Sequence, residues 1–291
     1  MAGTRLRNSN SNRVGFFDKK FPFVINLIKN TIPYRHLHSH PGEIELQYVF
    51  SGEGVYIVNN KIYPVKEGML LVIHRHEYHR IASVNKKKPL YKAGIICSSY
   101  IFSNYGLLKP YALKTLFKDS KNMRLLNFEK SESVEVGMVV KGLFKDFTEK
   151  NIVWKESIVV GMARLCLLVQ KHMAKAQESP KQIKDAVIQG CLDYIDKNIS
   201  SDLNLCKLSK ITGLAPNYLS SKFGSITGIS IKNYIIEKRI NEAKKRLELN
   251  PEVKIIAIAY ETGFKDLSNF NHTFKKLTGF TPSDYRGISL R

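Results

Sequence analysis

The chain has 291 residues, of which 43% are hydrophobic and 24% charged, so its length and composition favour a globular protein of two domains. No uninterrupted apolar run approaches the roughly 18 residues that a membrane-spanning helix needs, which argues against a membrane protein. The formal net charge of +21 favours a polyanionic partner such as a nucleic acid, but the excess is spread along the chain and does not locate the site.

The first 20 residues carry three arginines among Ser and Asn, and no apolar stretch follows that could act as a signal peptide. We expect residues 1–20 to form a disordered arm of a cytoplasmic protein. The four cysteines, Cys97, Cys166, Cys191 and Cys206, show no paired spacing, so we predict reduced and mostly buried thiols rather than disulfides or a cysteine metal site.

Short strand-length apolar runs separated by turn residues extend from Ile44 to about Ile96. Glu45 to Phe50, Val55 to Val58 and Gly68 to Ile73 are the clearest of these runs. The pattern predicts an all-β domain over residues 21–130, with short antiparallel strands that close into a barrel.

After about Ser131 the apolar period becomes helical, which predicts two helices over residues 131–175 joined near Asn151. These stripes either cover the barrel or form the interface of a homodimer, and the sequence favours neither. Residues 176–182 lack apolar periodicity and contain Pro180, which predicts a linker. The apolar stripes comprise Val136, Val139, Val140, Leu143 and Phe147 on the first helix, and Ile158, Met162, Leu165, Leu168 and Val169 on the second.

Residues 183–291 are predicted to be helical and contain an internal repeat. Phe223, Thr227-Gly228, Ser230 and Tyr234 recur 51 residues later as Phe274, Thr278-Gly279, Thr281 and Tyr285. Each copy follows a short helix that ends at a glycine, Gly213 or Gly263, and a second short helix whose apolar residues are four apart. Helix, glycine turn and helix form a helix-turn-helix unit.

Local signals define the helices of both units. Leu205 to Thr212 and Ile255 to Thr262 are the first helices, and we expect Leu205, Leu208 and Ile211 to point inward in the first. Asp266 can cap the second helix of the second unit, whereas Ala215 leaves its counterpart without a side-chain cap. Ser230 can cap a long helix between the units, which Asn250-Pro251 stops.

The second unit resembles the AraC/XylS family of transcription regulators nearly position for position, and the resemblance covers roughly residues 183–291. The first unit is looser, because Ala215, Lys222 and Gly224 depart from the common residues. The matching segments are Ile256-Ala257-Ile258-Ala259, Gly263-Phe264-Lys265-Asp266, Ser268-Asn269-Phe270, Phe274-Lys275-Lys276, Gly279 and Thr281-Pro282-Ser283-Asp284-Tyr285-Arg286.

The resemblance implies that two recognition helices enter successive major grooves of double-stranded DNA, which repeat about every 34 Å on one face of the duplex. With the apolar residues inward, polar residues face out and can contact base edges or phosphates. Arg239 and Lys275 are better candidates for phosphate or packing contacts. The predicted DNA-binding residues are Asn217, Ser220, Ser221, Arg239, Ser268, Asn269, Asn271, His272 and Lys275.

The N-terminal half also resembles the cupins. His38-x-His40-x4-Glu45-x6-Gly52 matches the first cupin motif apart from Ile32 in place of the leading glycine, and Gly68-x10-His79 resembles the second, with His74, His76 and Ser83 as departures. In cupin enzymes the residues matching His38, His40, Glu45 and His79 bind a metal, and three imidazoles with a carboxylate suit a divalent transition metal. Cupin-containing regulators commonly sense a small molecule, often a sugar, with this pocket. A metal site, a metal-free effector pocket and a structural relic all stay open.

The two resemblances together predict an α+β protein of two domains: a cupin-like β-barrel with following helices, then an all-α tandem helix-turn-helix domain. Two functions compete, a ligand-modulated transcription regulator and a cupin enzyme with a helical appendage. The duplicated recognition unit favours the regulator, so we expect no catalytic residues. The implied partners are double-stranded DNA, a small-molecule effector, a second copy of the chain and RNA polymerase.

Overall fold

The computed structural model describes most of both predicted halves. The predicted N-terminal arm, except Lys20, and the predicted linker at 176–182 lie outside the described residues, as do His40 and His76. The described residues are 20–33, 38, 44–75, 77–102, 116, 125–175 and 185–289.

The N-terminal half folds into two antiparallel sheets that enclose a common interior, which confirms the predicted β-rich, cupin-like class. One sheet has five strands in the order β1-β7-β2-β5-β8, and the other has three in the order β4-β3-β6. The described strands are β1 (Phe23–Asn30), β2 (Ile44–Ser51), β3 (Glu53–Val58), β4 (Lys61–Lys66), β5 (Met69–His74), β6 (His79–Val84), β7 (Leu90–Cys97) and β8 (Leu125–Asn127).

Side chains alternate between the two faces of each strand, so each sheet separates two packed regions. Val49 of β2 and Leu71 of β5 point into the barrel, where they join Ile81 in one apolar cluster. Their neighbours Leu46 and Leu70 point outward and belong to a different core. The predicted barrel therefore has apolar side chains on both faces of its larger sheet.

Two long helices, α1 (Lys130–Glu149) and α2 (Trp154–Lys175), cover the outer face of the five-stranded sheet. Val136, Leu143 and Met162 of the predicted stripes are buried in the same cluster as Leu46 and Leu70. Of the two interpretations of these stripes, covering the barrel is the one that the packing supports.

One described helix, α2, has the length and composition of a membrane span. Those two properties are shared by core helices of globular proteins. In this fold Ile158, Met162, Leu165 and Val169 of α2 are fully buried against α1 and the barrel.

The C-terminal half is helical throughout its described residues, as predicted. Helices α4 and α5 form the first helix-turn-helix unit, α7 and α8 form the second, and α6 connects them. The helices are α3 (Ala186–Lys197), α4 (Leu205–Thr212), α5 (Pro216–Thr227), α6 (Ile231–Leu249), α7 (Ile255–Glu261), α8 (Leu267–Thr278) and α9 (Pro282–Ser289).

The predicted caps are present. The Asp266 carboxylate accepts a hydrogen bond from the Asn269 amide at 2.7 Å, and Ser230 Oγ accepts one from the Asn233 amide at 3.3 Å. Ala215 provides no side-chain cap for α5. One inward prediction is wrong: Ile211 is exposed, because Leu208 alone of α4 points fully into the core of the unit.

All four cysteines lie among the described residues, and none of them forms a disulfide. Cys97, Cys166 and Cys191 are buried, whereas Cys206 is exposed. Burial raises the pKa of Cys166 to about 12 and that of Cys191 to about 11, so both are thiols at neutral pH. These positions confirm the predicted mostly buried thiols.

Candidate functional site

The barrel interior holds a chain of polar side chains at the end that contains the predicted cupin residues. His79 Nε2 lies 2.8 Å from Glu45 Oε2, and the amide of Gln47 donates to the other Glu45 oxygen. The ammonium of Lys92 donates to Gln47 Oε1, and the Tyr56 hydroxyl approaches the same oxygen at 3.4 Å. Glu45, Gln47, Tyr56, His79 and Lys92 are all buried, so this network lies away from bulk water.

Three of the four predicted pocket residues come together. His38 pairs with His79 through an isolated β-bridge, and their rings lie 4.3 Å apart. Backbone bonds of 3.1 Å and 2.8 Å hold His38 to His79 in this position. The fourth residue, His40, lies outside the described part of the chain.

An ammonium group lies in the same buried network as the described cupin residues. Lys92 donates to Gln47, whose amide donates to Glu45, and the second Glu45 oxygen lies 2.8 Å from His79 Nε2. Burial lowers the pKa of Lys92 to about 8, and the charge of Glu45 opposes that shift. Among the described residues no three His, Cys, Asp or Glu side chains are grouped to hold a metal.

The three-stranded sheet separates the barrel interior from the first helix-turn-helix unit. On β6, His79 and Ile81 point into the barrel, whereas Arg80 and Ala82 point outward. Outward-facing residues of this sheet, such as Ile57, share one apolar core with the first unit. A displacement of β6 would therefore act on the polar network and on the first unit together.

Polar contacts fasten this sheet to the helices of the DNA-binding half. The hydroxyl of Tyr234 on α6 donates to the Asn59 carbonyl at 3.0 Å, and the side chain of Gln189 on α3 donates to the Asn60 carbonyl at 2.7 Å. The Tyr78 hydroxyl donates to Glu242 of α6 at 3.1 Å. The barrel thus holds both α3 and the connecting helix α6.

The turn after α5 also contacts this sheet. Arg80 Nη2 donates to the carbonyl of Gly228 at 3.4 Å. Gly228 has φ +73°, and a Cβ at this position would lie only 2.2 Å from the carbonyl oxygen of Ala82. The corresponding Gly279 of the second unit has φ +83°, and no atom of the described residues lies within 4 Å of such a Cβ. Of these two corresponding turns, the described part of the barrel therefore packs against the first only.

The outward face of α5 carries the residues predicted to read DNA in the first unit. Leu219 and Phe223 are fully buried in its core, as predicted. Asn217 and Ser221 are exposed and Ser220 is half-buried. These three side chains therefore share the side of α5 opposite the core.

The outward face of α8 carries a larger number of the predicted DNA-binding residues. Phe270 and Phe274 are fully buried, and Asn269 accepts a hydrogen bond from Thr273 Oγ1 at 3.2 Å along the helix. The predicted DNA-binding residues Ser268, Asn269, Asn271, His272 and Lys275 are all exposed.

Arg239, the remaining predicted DNA-binding residue, lies on the connecting helix. Its Nε donates to the Ile199 carbonyl at 3.1 Å and its Nη2 to the Ser201 carbonyl at 2.7 Å. These are contacts of the packing kind, which the sequence left open beside a phosphate contact.

Sequence reasoning missed Gln47, Lys92 and Arg80. Lys92 could have been noticed, because a lysine at an inward position of the apolar run Leu90 to Cys97 is unusual in a core strand. Gln47 lies two residues from Glu45 on the same face of β2. Arg80 carries no signal in the sequence, because its partner Gly228 is 148 residues away.

Comparison with known proteins agrees with both halves of this arrangement. A helix-turn-helix domain family matches residues 208–288, and a cupin domain family matches residues 31–91. An uncharacterized HTH-type transcriptional regulator of Escherichia coli K12, YdiP, is 26% identical over 260 residues, which cover 86% of this chain and 80% of the relative. A similarly described regulator of Staphylococcus aureus is 26% identical over 248 residues, so this chain spans only 31% of that relative.

Solved structures with detectable likeness include both whole chains and isolated domains. ToxT from Vibrio cholerae is 17% identical, with 93% of this chain and 98% of ToxT covered and a TM-score of 0.37. The C-terminal domain of the response regulator yesN from Fusobacterium nucleatum is 33% identical, with 34% of this chain and 95% of that domain covered and a TM-score of 0.33.

The helix-turn-helix match covers most of both units, and the cupin match covers strands β2 to β6 of the barrel. The relatives named above are described as transcriptional regulators, and the family matches indicate no catalytic family. The chain is a DNA-binding transcription regulator of the AraC/XylS family with a cupin-like N-terminal half.

Proposed function

We propose that this regulator binds a specific operator with both recognition helices and that a small molecule in the barrel, such as a sugar, modulates this binding. The single observation that carries the proposal is the three-stranded sheet, which has the polar network on one face and the first helix-turn-helix unit on the other. We also propose that the protein is cytoplasmic and that it divides into a barrel, the two helices on the barrel and a DNA-binding domain from 183 to 291.

Sequence is read, in this proposal, by the exposed polar residues of α5 and α8. Asn side chains can pair bidentately with adenine, and Ser and His can reach other base edges. Lys275 contacts phosphate, because a lysine is a compact point charge with little geometric selectivity. The base-reading residues are Asn217, Ser220, Ser221, Ser268, Asn269, Asn271 and His272.

The effector lies beside His38, His40, Glu45 and His79 and acts without a metal ion. Lys92 supports the metal-free form of the pocket, because it adds a cation to the network in which a divalent metal would have to bind. A ligand changes DNA binding only if it has different affinities for the two arrangements of barrel and helices. The apolar core around Ile57 belongs to both the sheet and the first unit, so it can couple the binding of a ligand to the arrangement of barrel and helices.

We further propose that two copies associate through the outer faces of α1 and α2. The inward stripes of these helices are used against the barrel, so an interface must use the opposite side. Four exposed apolar residues lie on these helices, Val134 and Met138 on α1 and Val160 and Leu167 on α2. Ile152 and Val153 are also exposed and lie in the turn that joins the helices. Exposed apolar patches of this kind mark sites of interaction between proteins.

The test compares the parent with the double variant His40→Ala, Glu45→Ala, measuring operator occupancy with and without a panel of sugars. We expect the variant to bind the operator and to lose the response. Glu53→Ala serves as a control, because it removes an exposed carboxylate at the barrel rim that pairs with Lys88. An unchanged response in the double variant would contradict the effector site. A response abolished by chelator in the parent would contradict the metal-free form.

A further inference from the structure

The turn of the second helix-turn-helix unit packs on the connecting helix α6 and on the segment that leads into the first unit. Gly263 has φ +91°, and a Cβ at this position would lie 2.6 Å from the carbonyl oxygen of Ile199 and 2.8 Å from the Arg239 guanidinium. For the corresponding glycine of the first unit, Gly213, φ is +70° and no atom in the described part of the chain lies within 4 Å of such a Cβ. Among the described residues, the second turn is therefore packed closely against other parts of the domain, and the first is not.

Arg239 stands at the centre of this contact. It lies on the connecting helix α6, and its guanidinium donates to the carbonyls of Ile199 and Ser201, which lie between α3 and α4. One side chain of the connecting helix thus holds the segment that leads into the first unit, and the second unit packs on that same side chain. Burial lowers the pKa of Arg239, but an arginine keeps its charge and all its donors at physiological pH.

A second contact between the second unit and this segment is weaker. Lys265 Nζ lies 3.5 Å from Asp202 Oδ1, but both side chains are exposed, so solvent screens the pair. The directional, half-buried contact is the one made by Arg239 and Gly263. We propose that Arg239 is a positioning residue, which fixes the orientation of the two recognition helices and so the separation of the two DNA half-sites that the protein accepts.

The proposal follows from the geometry of the duplex. Adding one base pair between two half-sites moves them apart by about 3.4 Å and rotates one about the axis by about 35°. A rigid pair of units cannot follow that change, whereas units joined only by α6 can adapt. Two donors in a fixed planar fork hold two carbonyls in one geometry, whereas the ammonium of lysine has no fixed fork and methionine has no donor.

The experiment selects DNA from a pool of duplexes with a random region of about 30 base pairs, long enough for two half-sites one or two turns apart. The full chain and the variants Arg239→Met, Gly263→Ala and Gly213→Ala are used. The two glycine variants are a matched pair, since both put alanine at a positive φ and only Gly263 lies in the contact. Circular dichroism checks that each variant is folded, and Gly263→Ala decides the question if Arg239→Met does not fold.

We expect the parent and Gly213→Ala to enrich two half-sites at one separation, and Arg239→Met and Gly263→Ala to enrich the same half-sites at several. Inserting one base pair into the selected site should weaken the parent at least about 10-fold, a loss comparable to that of a mismatched base pair, and weaken Arg239→Met by less than about 3-fold. A single separation in every variant would overturn the inference, as would several separations in the parent. A parent that enriched no sequence would instead contradict the DNA-binding assignment itself.

Discussion

Gly228 and Gly279 allow a direct test of whether the barrel is docked on the first helix-turn-helix unit. They occupy corresponding positions of the repeat, each ends a recognition helix, and their φ values are +73° and +83°. Alanine at either position is forced into the left-handed region, which costs roughly 1–2 kcal/mol for a residue with a Cβ. That strain is common to Gly228→Ala and Gly279→Ala, so it cancels in a comparison of the two.

The expected difference in stability between the two variants comes from the contact of Gly228 with the barrel. At Gly228 the added Cβ would lie 2.2 Å from the Ala82 carbonyl oxygen, whereas Cβ contacts shorter than 3.0 Å essentially never occur. The contact must therefore open, and the neighbouring Arg80 to Gly228 bond lengthens with it. Overpacking of this kind typically costs about 1–3 kcal/mol. We expect Gly228→Ala to lower the free energy of unfolding by about 2–5 kcal/mol and Gly279→Ala by about 1–2 kcal/mol.

Urea unfolding of the full chain, followed by circular dichroism at several wavelengths, measures both values. Fluorescence of the single tryptophan, Trp154, follows the barrel half in the same samples, because this side chain packs against the cluster around β1 and α1. Equal destabilisation by the two variants, within about 0.5 kcal/mol, would mean that the barrel does not press on the Gly228 turn.

Three further outcomes are expected. Affinity for the operator should fall linearly on a plot of log K against log salt concentration, because phosphate contacts release counterions; a salt-independent affinity would contradict this. Asn269→Ala and His272→Ala should change the preferred sequence at a cost of about 1–3 kcal/mol per base contact, whereas Lys275→Ala should weaken all sequences alike, and selection from a random pool separates these results. The pKa of Lys92 is about 8 in the folded chain and 10.5 as its ordinary value. Between pH 8 and 10.5 the Lys92 amine is mostly neutral in the folded chain and protonated in the unfolded chain. The free energy of unfolding should therefore rise with pH by up to about 1.4 kcal/mol per pH unit. Lys92→Met should remove that slope from urea unfolding measured between pH 8 and 9.5, and an unchanged slope would show that another group causes it.

Much of the C-terminal half could be predicted because its signals are local. A cap and the amide that it accepts are three residues apart, as in Asp266 and Asn269, and a glycine that ends a helix needs only its own positive φ. The prediction for Ile211 failed. Its spacing from Leu208 suits burial on the same face of α4, but in this short helix only Leu208 is fully buried in the core.

The barrel site was predicted less completely. His38, Glu45 and His79 followed from a resemblance to cupin motifs, and the fold brings these three together. Lys92 was not anticipated, because its place in the network depends on the pairing of β7 with β2, which sets it beside Gln47 from 45 residues away.

The class of fold, the duplication, the helix limits and the outward faces of the recognition helices could all be predicted, because they follow from local patterns along the chain. The two copies of the repeat are locally alike, so no local pattern could say how they differ in the folded protein. In the fold Gly228 meets the barrel and Gly263 meets Arg239, while no atom of the described residues lies close to a Cβ at Gly279 or Gly213. Each of the two contacts joins segments far apart in the chain, and their approach is set by the packing of whole sheets and helices.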